Sequence, residues 1–278
     1  MSELALLKKD VVDVVTEKIR TFQENKELHL PPDYSVENAM KSAWLTLQET
    51  TDKDGKLALE VCTKDSIANA LLDMAVQGLN PAKKQCYFVP YGKKLVLMRS
   101  YHGSKAVVKM VAKAQDVYAQ VVYKGDDFVY SIENGRKKII KHEQKIENVV
   151  SGNILAAYCV ITFPDGRPDY VDIMTIDQIK KAWSQGKTYK EDGNSTHQKF
   201  DEEMAKKTVI NRACKAYINA SSDDSLLLYH FNRTEEAIAE AEVDEEIAEN
   251  ANMETIDIHG EVQSDEPEQA TDTEGPGF

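Results

Sequence analysis

The sequence predicts an α+β protein: antiparallel β-hairpins and a meander packed with helices, followed by a disordered acidic tail. Three observations carry this. Apolar residues recur every three to four positions up to about residue 80. From about 85 to 175 they alternate instead, between turn-forming dipeptides. After Arg233 the chain has no Lys or Arg at all. Helices, then consecutive strands, then helices again is the order of an α+β fold rather than of repeated βαβ units.

Leu4, Leu7, Val11, Val14, Val15, Ile19 and Phe22 form one stripe at helical spacing. Such a helix must end before Pro31, and its stripe suits either the core or a protomer contact. A second helix is expected from Ser35, acting as N-cap, through Ala39, Ala43, Trp44 and Leu47. A third begins near Asp65 and carries Ile67, Ala70, Leu71, Met74 and Ala75 to a stop at Gly78.

Strands 85–89 and 94–99 flank the turn Pro90-Tyr91-Gly92-Lys93. Alternation puts Leu95, Leu97 and Arg99 on one face and Lys94, Val96 and Met98 on the other. Ser104 is then a candidate cap for a helix in which Lys105, Lys109 and Lys113 form a single stripe. Strands are expected at 119–123, 128–133 and 136–142, the last two joined by Asn134-Gly135, a strong hairpin signal. Two more, 155–163 and 170–174, flank Pro164-Asp165-Gly166-Arg167-Pro168. A helix over 176–185, a polar loop through Thr196 and a long helix over 197–220 follow.

The whole chain carries a net charge of −13, but the charge is unevenly placed. Residues 234–278 contain 16 acidic and no basic residues, so residues 1–233 carry a net +3, from 34 basic and 31 acidic side chains. The chain thus divides into a folded body, 1–233, and an acidic tail, 234–278, with too little apolar content to order most of itself. Glu and Ala content suits a helix over 234–250, although Ile238, Val243 and Ile247 give it only a sparse apolar stripe. The tail can solubilise the protein, dock a partner, or occupy basic segments in place of an anionic ligand.

Four cysteines (Cys62, Cys86, Cys159, Cys214) stand far apart without metal-ligand spacing, as expected of reduced thiols in a cytoplasmic protein. No run approaches the ~18 apolar residues of a membrane span. The opening MSELALLKKD lacks a secretory apolar core, so the mature chain is expected to start at Met1. No phosphate loop, dinucleotide fingerprint, HExxH or GxSxG occurs, so neither ATP nor another cofactor is expected; an effect of Mg2+ on assembly stays open. Asp126, Asp127 and Asp165 are the ligands that a rival reading, a metal-dependent DNA nuclease, would have to use. A third reading is an acidic interaction scaffold that binds no DNA.

Basic residues have two concentrations. The 35 residues from Pro81 to Gln115 contain Lys83, Lys84, Lys93, Lys94, Arg99, Lys105, Lys109 and Lys113 and no acid. Tyr87, Phe88, Tyr91 and Tyr101 lie among them as candidates for base stacking, with Tyr91 at the turn. On the long helix, Lys207, Asn211, Lys215 and Asn219 make an i, i+4 row beside Lys206, Thr208 and Arg212, while Val209, Ile210, Ala213 and Tyr217 can face the core. Alone, each row is an ordinary solvated helix face. Together, in a net-acidic chain, they match what a phosphate backbone requires, since each cation releases a condensed counterion. Lys137 and Lys138, beside the Asn-Gly turn, read instead as ordinary exposed hairpin residues.

Gly78-Leu79-Asn80-Pro81, Tyr87-Phe88-Val89-Pro90-Tyr91-Gly92 and Tyr101-His102-Gly103 resemble one signature of the RecT family of phage single-strand DNA annealing recombinases. The block Phe200 to Arg212, with Glu203-Met204-Ala205-Lys206-Lys207-Thr208-Val209 at its centre, resembles the other. The resemblance covers roughly 65–217, with one departure at His102, where the family often has Arg or Lys. It implies an ATP-independent, non-enzymatic annealing protein that binds single-stranded DNA and the annealed duplex. It also implies self-assembly into rings or filaments, a phage exonuclease as partner, and contact with the host single-strand binding protein. The expected DNA-binding set is Lys83, Lys84, Tyr91, Lys93, Lys94, Arg99, Tyr101, His102, Lys105, Lys109, Lys113, Lys206, Lys207, Asn211, Arg212 and Lys215, on a core spanning 1–233.

Overall fold

A computed structural model describes residues 7–185, 200–220 and 226–236. Leu4, the loop through Thr196, the segment at His197 and the tail beyond Glu236 lie outside the described residues. A π-helical turn, Lys9–Asp13, leads into α1 (Val14–Glu24). α2 (Val36–Glu49) starts at Ser35, whose hydroxyl accepts from the Asn38 N–H, as the cap signal predicted. After the short α3 (Ala58–Val61), α4 (Lys64–Val76) is capped by Thr63 and stops before Gly78.

β1 (Cys86–Tyr91) and β2 (Lys94–Arg99) form a two-stranded ribbon with Tyr91 opposite Lys94. Pro90 and Tyr91 therefore belong to the strand, and the turn shrinks to Gly92-Lys93 with Gly92 at φ +54°. α5 (Tyr101–Val111) follows directly. Its cap is Ser100 rather than Ser104, so the helix begins one turn earlier than expected. It also ends before Lys113, which sits at φ +52° beyond the helix and leaves the basic stripe.

β3 (Asp116–Tyr123), β6 (Ile154–Thr162) and β7 (Tyr170–Thr175) make an antiparallel sheet in the order β3-β6-β7. β4 (Asp127–Glu133) and β5 (Arg136–Glu143) form a separate ribbon through Asn134-Gly135, both at positive φ as a tight Asn-Gly turn demands. α6 (Ile176–Trp183) opens with a capping box, Thr175 with Gln178. α7 (Asp201–Asn219) is the long helix, and residues 226–236 form α8.

Period-two alternation divides the sheet between two cores. Val117, Val121, Ala157, Cys159, Ile161 and Met174 join the large core with α1, α2, α4, α5, α7 and α8, whose Leu227 and Phe231 are buried. Val122, Tyr158 and Val160 face the other way and are covered by Phe128 and Ile139 of the β4–β5 ribbon. The layers are thus helices, sheet and ribbon. Among the described residues the four cysteines are free and buried, and burial pushes the thiols of Cys86 and Cys214 up to about 12. No described helix is long and apolar enough to cross a membrane.

The structured body does not stop at Arg233. Thr234 is 1% exposed, accepts from the Gln77 amide at 2.9 Å, and belongs to α8, so the first residues of the predicted tail are packed against α4.

Candidate nucleic-acid interface

The first sequence signature builds a joint. Gly78 turns the chain out of α4 at φ +64°, and Asn80 caps the 3-10 turn Pro81–Lys83, Pro81 standing where no N–H is needed. Gln85 then returns its side chain to the Asn80 N–H at 2.9 Å. Gly103 lies against that segment: a Cβ there would fall 2.2 Å from the Gln85 carbonyl oxygen. Only glycine lets the first turn of α5 press onto the base of the β1–β2 ribbon. Ser100 donates to the Lys84 carbonyl at 2.7 Å and accepts from the Gly103 N–H, which fixes the corner.

The second signature is α7, which lies on the helix-side face of the sheet and packs along α5. Val209, Ala213 and Ile218 are fully buried and Ile210 nearly so. Ser104 of α5 donates to Asn211 Oδ1 at 3.1 Å, joining the two signatures. The Trp183 indole donates to Thr208 Oγ1 at 2.8 Å, which seats α6 beside it.

Two clefts flank α7. The first, about 210 Å3, is lined by Arg99, Ser104, Asn211, Arg212, Lys215, Phe231 and Glu235. The Arg99 side chain is 4% exposed, stacks over Phe231 at 3.6 Å, and donates to Gln77 Oε1 at 2.6 Å and Glu235 Oε1 at 2.7 Å. Burial pulls its guanidinium down to about 10 despite Glu235, so it stays charged at neutral pH. The second cleft, about 560 Å3, runs between the β4–β5 turn, the β6–β7 loop and the end of α7, and its lining includes Arg136, Lys137, Arg167, Tyr170, Asp172 and Tyr217. Tyr217 packs on Phe163 and Tyr170, and Arg167 stacks on Phe163 at 4.1 Å.

Asp172 couples the clefts. Arg212 holds its carboxylate from the helix side, and Lys137 reaches it at 3.2 Å from the ribbon on the opposite face. Both cations also donate to the carbonyl of Ile173 on edge strand β7, supplying partners that an edge lacks. The result is a band of cations along α7 from Arg99 to Arg136.

The expected DNA-binding residues fall in several places. Arg99, Asn211, Arg212 and Lys215 meet in the first cleft. Lys105 is half-buried on α5, one residue from cleft-lining Ser104. Lys83, Lys84 and His102 are exposed near the ribbon base, where Tyr101 packs on His102 at 4.0 Å. Lys93 and Lys94 sit with Tyr91 at the ribbon tip, against the start of α4, about 17 Å from Arg99 at strand spacing. Lys109 pairs with Asp116 at 3.1 Å and Lys206 with Glu202 at 2.5 Å, so both are tied to neighbouring acids. Lys207 is exposed on the α7 row, and Lys113 stands apart past α5.

Arg136, Lys137, Arg167 and Tyr217 were not singled out as DNA-binding residues by the sequence. Lys137 was expected to be ordinary hairpin surface, but its ammonium faces Asp172 and the cleft, whereas Lys138 points to Glu133. The available signal was period two: in β5 only alternate residues can face the sheet.

The three aspartates of the nuclease reading do not converge. Asp126 is enclosed at the β3–β4 turn, where burial raises its pKa but donors from Tyr123 N–H, Asn148, Gln144 and His142 win, bringing it to about 2. Asp127 pairs with Lys141. Asp165 pairs with Arg167 beyond the other end of the sheet, where Asp116 is opposite Thr162.

The chain matches the family model of the RecT family over residues 37–255. It belongs to the RecT family. Compared with curated proteins, it finds no match. RecT-family proteins are annealing proteins rather than classical enzymes, and membership implies single-stranded DNA binding, self-association and annealing in phage-type recombination. Within this RecT-family chain, the two signatures are the two sides of the α5–α7 joint on which the first cleft is built.

Proposed function

We propose that the chain anneals complementary DNA strands without ATP, as a ring or filament of protomers, holding each strand by its backbone along the cation band beside α7. The observation that carries this reading is the convergence of Arg99, Arg212 and Lys215 in one cleft and Arg136, Lys137 and Arg167 in the next, joined through Asp172. Phosphate contacts fix position without reading sequence. Base edges then stay open to the second strand, which is what annealing requires. Aligned, neutralised phosphates lower the repulsion between two strands, and neighbouring protomers make many weak encounters into one long contact.

Annealing makes and breaks no covalent bond, so the residues bind and orient and none acts as acid, base or nucleophile. A phage exonuclease that exposes the single strands and the host single-strand binding protein are the partners this role needs, in a bacterial cytoplasm. Mixing two complementary labelled oligonucleotides with the protein, without ATP, tests it. Acceleration over the protein-free rate is expected; an absolute requirement for ATP, or shortening of the strands with divalent metal, would overturn it.

A further inference from the structure

The first cleft is already occupied. Glu235, at the end of α8 and at the root of the acidic tail, places Oε1 2.7 Å from Arg99 Nη2 and Oε2 2.8 Å from Lys215 Nζ. Two oxygens on one centre, each held by a different cation, is also how a phosphodiester presents its two nonbridging oxygens. Arg99 Nε, buried in the same cleft, has no partner among the described residues, so the site keeps an unused donor that the carboxylate does not satisfy.

We infer that Glu235 is an internal stand-in for a DNA phosphate, a carboxylate latch that fills the anion cleft between α5, α7 and α8 until the DNA backbone displaces it. The inference rests on the annealing reading and adds regulation of the same site. Anchorage of α8 does not depend on Glu235. Leu227 and Phe231 are buried, His230 and Arg233 both contact Asp73 of α4, and Thr234 bonds Gln77. Glu235 follows these anchors, and its side chain is 37% exposed. Displacing it requires only a side-chain movement, not detachment of the helix.

Full-length protein, Glu235→Gln, Lys215→Gln, and chains truncated after Glu236 with and without Glu235→Gln are compared for binding to a labelled single-stranded oligonucleotide. Salt is varied from about 50 to 300 mM, where screening lengths shorten. Glu235→Gln is expected to bind about fivefold more tightly at low salt, the gain shrinking as salt rises, and Lys215→Gln to bind more weakly. The gain is expected to persist in the truncated chain. Unchanged or weaker binding by Glu235→Gln at an unchanged melting temperature overturns the latch, as does a gain produced by truncation alone. If Glu235→Gln melts early, Glu235→Asp, which keeps the charge, must bind like the parent chain while Glu235→Ala binds more tightly; equal affinities for these two would also overturn it. If the unaltered protein binds no single strand at any salt, the annealing reading fails first.

Discussion

Arg212 grips Asp172 through two hydrogen bonds, Nε to Oδ2 at 2.6 Å and Nη2 to Oδ1 at 2.7 Å. This bidentate pair ties α7 to edge strand β7, and Asp172 is itself nearly buried. Removing the carboxylate leaves Arg212 and Lys137 facing each other without a counter-charge. Asp172→Ala is therefore expected to destabilise the fold by about 3 kcal/mol, and Asp165→Ala, at an exposed pair screened by solvent, to cost far less. Denaturant titration of both variants checks the order, and equal losses would contradict it.

Gly103→Ala sets a new Cβ against the Gln85 carbonyl and the Arg99 side chain. It is expected to cost about 3 kcal/mol or more. Gly166→Ala, at φ +78° with open space around it, is expected to cost only about 1 to 2 kcal/mol. A Gly103→Ala protein with parental stability would show that the α5 corner is looser than its geometry.

The Asp126 cluster gives a pH dependence with a definite sign. Its folded-state pKa, about 2, lies below the unfolded carboxylate value, ~3.9. Its contribution is therefore complete above about pH 4 and is lost as pH falls toward about 2. Asp126→Asn is expected to lower the melting temperature at pH 6 and to lose that deficit as pH approaches 2. A deficit independent of pH would mean that packing, not charge, accounts for it.

Lys137 and Lys138 are adjacent in sequence and opposed in space. Lys137→Glu, at the cleft, is expected to weaken single-strand binding roughly tenfold, and Lys138→Glu less than about twofold. Comparable losses from both would mean that net charge, not the cleft, governs binding.

Much of this fold is written in local chemistry. Ser35 as a cap, Asn134-Gly135 as a turn, and alternation in β6 each act over a few residues, so the sequence specifies them directly. The interface was legible in part, because the α7 row depends on helical spacing alone. Arg99 shows what counting cations leaves out: alternation placed it on one face with Leu95 and Leu97, and its side chain is buried, unlike the exposed lysines beside it in sequence. Its partners, Gln77 and Glu235, are 22 and 136 residues away, and no local pattern announces them. Ser104 looked like a cap because its hydroxyl precedes a helical stripe; Asn211, 107 residues on, takes that hydroxyl instead. The second cleft was missed for the same reason, since Arg136, Arg167 and Tyr217 converge only when the ribbon folds across the sheet.

The cation band beside α7 is the proposed holder of the phosphate backbone. Its most direct test is the salt dependence of single-strand affinity for the parent protein and for a variant with Lys105, Arg136 and Lys215 changed to Gln. With about four to six phosphates neutralised per protomer, the parent is expected to give a log–log slope of about −3 to −4. The variant is expected to lose about 2 from that slope, at about 0.7 per contact. An unchanged slope in the folded variant, or a parent affinity indifferent to salt, would show that the band does not hold the backbone.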